Sequence, residues 1–166
     1  MLLEIPTKGV DYAADIAYKA GVKVILNPAP AQVISSELLR KLYLITPNQV
    51  EAELLTGIKI VDRPSAAEAA KLIVARGARN VIITLGSKGS LICQGGEVEM
   101  VSAFKVKAVD TTAAGDTYNG ALCAALAKGL SLQEAAVYAS KGAAISVTRM
   151  GAQSSIPTKD EIVNFD

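Results

Sequence analysis

The chain has 166 residues, 51% of them hydrophobic, with 17 basic side chains against 16 acidic ones, two cysteines, and neither histidine nor tryptophan. The lack of histidine excludes Ser-His-Asp and Cys-His dyads, His-ligated zinc and a histidine general base, so acid–base work falls to Asp, Glu, Lys or Tyr. Two cysteines cannot build a four-thiolate metal site, and a formal net charge of +1 gives no electrostatic footprint for nucleic acid or an anionic membrane.

In chain order the first pattern is helical: Val10, Ala13, Ala14, Ile16 and Ala17 recur at helical spacing from Gly9 to Ala20, and Gly21 supplies a stop. Val22 to Leu26 reads as a strand, ended by Asn27-Pro28-Ala29-Pro30. The alternation repeats with a helix from Ser35 to Lys41, a strand from Tyr43 to Ile45 and the breaker Thr46-Pro47-Asn48. Helices follow from Gln49 to Leu55 and from Ser65 to Arg76, the latter with Ser65 and Glu68 in capping-box spacing. Arg79 to Thr84 is a nearly continuous apolar strand, as expected where helices cover both faces.

Glycines then bracket a small hairpin, Ser90 to Cys93 with Glu97 to Val101. Helices from Thr117 to Ala127, Gln133 to Thr148 and Lys159 to Asn164 close the chain. Strands alternating with helices predict one α/β domain over residues 1–166 with a parallel sheet core. Cys93 and Cys123 lie in apolar contexts where burial is the usual fate. No apolar stretch reaches the roughly 20 residues of a spanning helix, and Glu4 and Pro6 interrupt the first residues. The expectation is a soluble cytoplasmic protein with free thiols, no membrane partner and no nucleic-acid partner.

The stretch richest in chemistry is Asp110-Thr111-Thr112-Ala113-Ala114-Gly115-Asp116-Thr117-Tyr118-Asn119-Gly120-Ala121. Small residues at Ala113, Ala114 and Gly115 stand where a loop enters a helix, so their N–H groups can converge on an anion, favoured by the helix dipole. A carboxylate at Asp116 beside such an anion is repelled unless it has work to do. Two readings stay open from the residues alone: a general base taking a hydroxyl proton as that oxygen attacks phosphorus, or a simple helix cap.

This run, Asp110 to Leu122, resembles the C-terminal signature of the ribokinase-like (PfkB) carbohydrate kinases. Other landmarks fall in that family's order: Leu26-Asn27-Pro28-Ala29-Pro30-Ala31, the Asn-x-x-Glu motif at Asn48 and Glu51, Ile83 to Gly89 as the nucleotide loop, and the tail Val147 to Pro157. The resemblance implies a three-layer α/β/α fold with a mostly parallel sheet. It implies Asp116 as the base that deprotonates a sugar hydroxyl and Ala113, Ala114 and Gly115 as the anion hole for the γ-phosphate of ATP. ATP contacts would also come from Asn48, Thr84, Leu85, Gly86, Ser87, Lys88, Gly89 and, on the helix beside adenine, Ser140. Read alone, Asn48 and Glu51 are a helix cap and a first-turn carboxylate, Thr84 to Gly89 is a strand-to-hairpin turn, and Ser140 is a buried helix serine.

The same resemblance implies Mg²⁺ organised through water by Glu51, and K⁺ held by Asp110, Thr112, Ser146, Arg149 through its carbonyl, Gly151 and Ser155. Glu4 matches an acidic residue that binds sugar hydroxyls at a strand end; a surface carboxylate is the plain alternative. The Asn27 to Ala31 segment favours ribose over fructose, a ketodeoxygluconate or a nucleoside as acceptor. Set against family members, the chain begins about halfway along, so the expectation is a truncated fold lacking the N-terminal strands and the β-lid. That leaves the nucleotide half of a kinase site, with Glu4 and Asp116 to hold a sugar. It also leaves a sheet edge that invites a homo-oligomer or pairing with a separate N-terminal half. The implied activity is phosphorylation of the primary hydroxyl of a pentose such as D-ribose. The alternatives are a non-catalytic ATP- or ADP-binding fragment, or a kinase for another sugar or nucleoside of the family.

Overall fold

Strands β1 (Ile25–Leu26), β2 (Leu44–Ile45), β3 (Asn80–Thr84), β4 (Ser90–Gln94) and β5 (Glu97–Val101) form one five-stranded sheet in that order. In this computed structural model, which describes residues 1–165, β1, β2 and β3 run parallel, with Ile25 opposite Leu44, Leu26 opposite Ile45, and Ile45 opposite Val81. β4 and β5 are joined by Gly95 and Gly96 at φ +59° and +87°, the two positive-φ positions that a tight hairpin turn needs. The sheet is therefore mixed, with parallel pairing on the β1 side. Ordered as helices and strands, the chain is an α/β protein. Its backbone divides into two compact units, Met1–Leu85 with Leu91–Met100, and Gly86–Ser90 with Val101 onward.

In the first unit α1 (Thr7–Lys19), α2 (Ser36–Lys41), α3 (Gln49–Thr56) and α4 (Arg63–Ala75) accompany the sheet. Leu26, Leu39, Ile45, Ile73, Val81 and Ile83 are wholly buried in its core. Helix α4 packs on β3 and buries Ala66, Ala69, Ala70 and Ile73, small side chains that let the helix lie close to the strand. All but the last residue of β3 is buried, matching its unbroken apolar run. The predicted strands Val22–Leu26 and Tyr43–Ile45 shorten to two residues each. Pairing starts only at the Val24 carbonyl, which accepts the Tyr43 N–H at 2.8 Å and the Leu44 N–H at 3.2 Å.

Beside β1 lie the first three residues. The Met1 carbonyl accepts the Asn27 N–H at 2.9 Å, and the Leu3 N–H donates to the Ala29 carbonyl at 2.7 Å. The α4 start differs from expectation: Asp62 is the N-cap and Ser65 the third helical residue, each bonded to the other's backbone. Pro64 explains the shift, because a proline in the first turn loses only an N–H that has no helical acceptor.

In the second unit α5 (Ala114–Ala127), α6 (Leu132–Ser146) and α7 (Lys159–Val163) pack together. A Cβ at Gly142 of α6 would lie 3.3 Å from an Ile162 methyl and 3.4 Å from the Ala121 methyl, so glycine allows three helices to meet there. Helix α5 begins one turn before the predicted Thr117, since Ala113 turns the chain through a left-handed conformation into the helix. Both cysteines are free; Cys93 is buried as expected, whereas Cys123 of α5 is exposed. Among the described residues no helix is long and apolar enough to cross a membrane.

Candidate active site

The entry to α5 carries the most unusual backbone. Ala113 has φ +58° and ψ +15° and is the only non-glycine residue with positive φ among those described. A side chain in this region costs of order 1 kcal/mol, so the surroundings must hold it there. A left-handed residue followed by a helical one turns successive N–H groups toward the same side, making an anion-binding nest. The helix has no side-chain cap. The Ala114 N–H makes a long 3.3 Å contact with the Thr111 carbonyl and the Thr117 N–H bonds the Ala113 carbonyl at 2.9 Å. Among the described residues, no acceptor serves the N–H groups of Gly115 and Asp116, which face outward with the positive end of the helix dipole.

Asp116 is exposed in the first turn of α5 and is not its N-cap. The capping alternative for this carboxylate therefore falls, since the cap position belongs to Ala113. Thr117, next along, buries its hydroxyl without a partner among the described residues. Asn119 donates its side-chain amide to the Gly115 carbonyl at 2.9 Å, inside the same turn of helix.

The loop before α5 is tied to the chain after α6 through Asp110. One carboxylate oxygen accepts the Thr112 N–H at 2.9 Å and the Thr112 hydroxyl at 2.7 Å, and the other accepts the Gly151 N–H at 2.9 Å. These bonds, the Thr112 hydroxyl foremost, hold the Asp110 carboxyl below the usual carboxylate range. The Val147 carbonyl accepts the N–H groups of Val109 at 2.7 Å and Asp110 at 3.2 Å. Ser146 and Ser155 are fully buried, and their hydroxyls donate to the carbonyls of Ala143 at 2.9 Å and Ala152 at 2.7 Å. Oxygen lone pairs on both remain for a cation. The Arg149 guanidinium pairs with Glu161 at 2.5 Å, which leaves only its backbone carbonyl for such a site.

In the first unit, Asn48 and Glu51 form a reciprocal cap at the start of α3. The Glu51 N–H donates to the Asn48 side-chain oxygen at 2.9 Å, and the Asn48 N–H donates to the Glu51 carboxylate at 2.8 Å. Asn48 is exposed and lies against Thr84 through an isolated parallel bridge, with the Thr84 N–H bonding the Pro47 carbonyl at 3.0 Å. Asn48 lies just beyond the C-terminal end of β2 and Thr84 ends β3, the ends of parallel strands where open α/β sheets place their ligands. Glu51 is buried, and burial pushes its carboxyl above the usual range against the opposing pull of the Asn48 N–H. Glu4 is exposed just after the stretch that runs beside β1.

The segment Gly86–Lys88 is a single turn of 3-10 helix with exposed Gly86, Ser87 and Lys88. It leads through Gly89 to Ser90. Leu85 and Thr84 precede it, each half-buried. Ser140 of α6 is buried, and its hydroxyl hydrogen-bonds the Tyr118 phenol, which also lies 3.1 Å from the Ser90 hydroxyl. Tyr118 and Ser90 were not singled out by motif reasoning. A tyrosine among the alanines and leucines of a helix was the available signal.

The family model described as pfkB family carbohydrate kinase matches residues 1–159. The chain belongs to this family. Ribokinase from Haemophilus influenzae is 51% identical over 165 residues, covering 99% of this chain and 54% of the relative. Among solved structures, ribokinase from Thermotoga maritima has a TM-score of 0.89 at 42% identity, covering 99% of this chain and 54% of its own. Arabidopsis thaliana ribokinase complexed with ribose and ATP has a TM-score of 0.94 at 32% identity, again covering 99% of this chain and 54% of its own. The fold is thus ribokinase-like, and the chain spans about half the length of the relatives it matches.

Proposed function

We propose that this pfkB-family chain carries the nucleotide-binding and catalytic segment of a cytoplasmic ribokinase-type kinase, which transfers the γ-phosphoryl of ATP to the primary hydroxyl of D-ribose. The observation that carries this reading is the entry of α5, where Ala113 in the left-handed region, uncapped N–H groups and an exposed Asp116 share one turn.

In the proposed step the Asp116 carboxylate accepts the proton of the ribose hydroxyl as that oxygen forms a bond to the γ-phosphorus. The bond from phosphorus to the bridging β,γ-oxygen breaks, and ADP leaves with that electron pair. Charge gathering on the transferred group is met by the amides of Ala113, Ala114 and Gly115 without reorganisation. Asn48, Thr84, Leu85, Gly86, Ser87, Lys88 and Gly89 hold the nucleotide, with close backbone approach permitted at Gly86, where nothing lies within 4 Å of an added Cβ. Glu4 orients the sugar hydroxyls.

The oxygen donors fit the two cations of this reading. Glu51 commits one oxygen to the Asn48 N–H and keeps the other for a hydrated hard cation, so it would hold Mg²⁺ through water. Bound magnesium supplies charge neutralisation along the phosphates. Asp110, Thr112, Ser146, the Arg149 carbonyl, Gly151 and Ser155 offer the all-oxygen set that suits K⁺, which would fix the loop entering α5. Ser140 sits beside adenine in this reading, with its hydroxyl already engaged by Tyr118.

The test is ADP release by the purified chain with and without ribose. Asp116→Asn should abolish ribose-dependent release while ATP binding, followed by calorimetry, persists. Unchanged turnover in that variant sinks the role of Asp116. A second reading is ATP or ADP binding without transfer. Heat on adding nucleotide, unaffected by ribose and without turnover, selects that reading.

A further inference from the structure

Tyr118 lies two residues beyond the proposed base, yet its phenol faces away from solvent and is 5% exposed. Its hydroxyl is 3.1 Å from that of Ser90, 1% exposed, and is also bonded to that of Ser140, 8% exposed. Burial pushes the phenol up to about 12, so it stays protonated and offers one donor throughout the physiological range. The three hydroxyls come from α5, from α6 and from the residue that ends the Gly86–Ser90 segment. A second contact fixes the same segment from the other side. A Cβ on Gly89 would stand 2.0 Å from the Val101 carbonyl oxygen and 2.7 Å from the Ala103 nitrogen, so the backbone there is pressed against residues 101–103.

We propose that the Tyr118 hydroxyl is a positioning residue: it pins the Gly86–Ser90 turn to α5 and α6, holding the turn's backbone in one place relative to the helix entry that carries Asp116. The inference rests on the nucleotide reading for its functional meaning, because Gly86 to Gly89 are the residues proposed to line ATP. The pin itself is a statement about the apo chain. A phenylalanine at 118 would fill the same volume and lose only the hydrogen-bonding oxygen, leaving two buried serine hydroxyls to find other partners. The local opening of the turn would then become easier without loss of the helix packing that the ring provides.

Amide hydrogen exchange on the full chain tests this, comparing wild type with Tyr118→Phe and Ser90→Ala, alongside ATP affinity by calorimetry. Losing one buried hydrogen bond should speed exchange across residues 86–90 about fivefold or more, with α4 and the far end of α6 unchanged. ATP affinity should fall by a similar factor in both variants. Combining the two substitutions should add little at residues 86–90, since both remove the Tyr118–Ser90 bond that ties the turn. Unchanged exchange at 86–90 in both variants overturns the pin. So does a rise spread evenly over the chain, which would mark Tyr118 as a general packing residue. If wild type retains no ATP while the turn still loosens in Tyr118→Phe, the pin stands and the nucleotide reading falls.

Discussion

Asn48 and Glu51 each satisfy the other's backbone: the Glu51 N–H reaches the Asn48 side chain at 2.9 Å and the Asn48 N–H reaches the Glu51 carboxylate at 2.8 Å. A residue pair proposed for nucleotide and magnesium is therefore also a capping box, and substitutions must separate the two roles. Glutamine serves at the third position of a capping box as glutamate does, so Glu51→Gln should keep the cap while ending any service to a cation. Glu51→Ala should cost about 1 kcal/mol of stability. Urea denaturation measures this, and ATP affinity with and without Mg²⁺ should show the magnesium-dependent part lost in both variants.

The same residue gives a pH dependence with a definite sign. Burial raises the Glu51 carboxyl above its ordinary 4.5, so the folded chain holds this proton more firmly than the unfolded one. Its contribution is present at acid pH and is lost as pH rises through the raised value. Glu51→Gln removes that titration. The stability of the variant relative to wild type should therefore increase between pH 4.5 and 7, as read from denaturant midpoints. A constant difference over that range would contradict the burial argument.

Glu161 should act in the opposite sense. The Arg149 guanidinium first, then the Thr158 N–H and hydroxyl, hold its carboxyl down at about 2 from an ordinary 4.5. The stability this provides is complete above 4.5 and is lost as pH falls toward about 2. Acid unfolding of Glu161→Gln should show a shallower decline across that window. Because the pair is exposed, raising the salt concentration should reduce the contrast.

Two glycines of the proposed nucleotide turn should behave differently. At Gly86, φ is +58° and no atom lies within 4 Å of an added Cβ, so Gly86→Ala should cost about 1 kcal/mol from backbone strain alone. At Gly89, φ is +96° and the added Cβ would meet backbone atoms at 2.0 Å and 2.7 Å. Gly89→Ala should cost about 3 kcal/mol or more, since strain and overpacking combine. Thermal melts of the two variants decide this, and equal losses would refute it.

Thr117 provides a test by removal. Its buried hydroxyl has no partner among the described residues, and an unsatisfied buried hydroxyl costs about 1 to 3 kcal/mol. Thr117→Val should leave stability unchanged or raise it by about 1 kcal/mol, measured by denaturant midpoint. A marked loss would mean that the hydroxyl has a partner in solution.

Much of this could be read from residue order. The breakers at Asn27-Pro28 and Pro47, the apolar run of β3 and the alanine periodicity of α5 and α6 are local signals, and local signals set element type. Boundaries were less legible where two signals compete. Pro64 moved the start of α4 ahead of Ser65, and three small residues before Asp116 looked like loop although Ala114 already belongs to the helix. The residues proposed for the site stand out in the sequence where they are contiguous, at Asp110 to Asp116, or form a short motif spacing, at Asn48 and Glu51.

By itself the sequence determined the α/β class, the family and the exclusion of histidine chemistry, because these depend on residue type, period and motif. Tertiary structure alone decided that Ala113 and not Asp116 occupies the cap position, that Asp110 reaches Gly151, that Cys123 is exposed, and that Tyr118 meets Ser90 and Ser140. Each joins residues far apart in the chain, or depends on a backbone angle or a helix face. Such facts follow from how the chain packs, which no local pattern specifies.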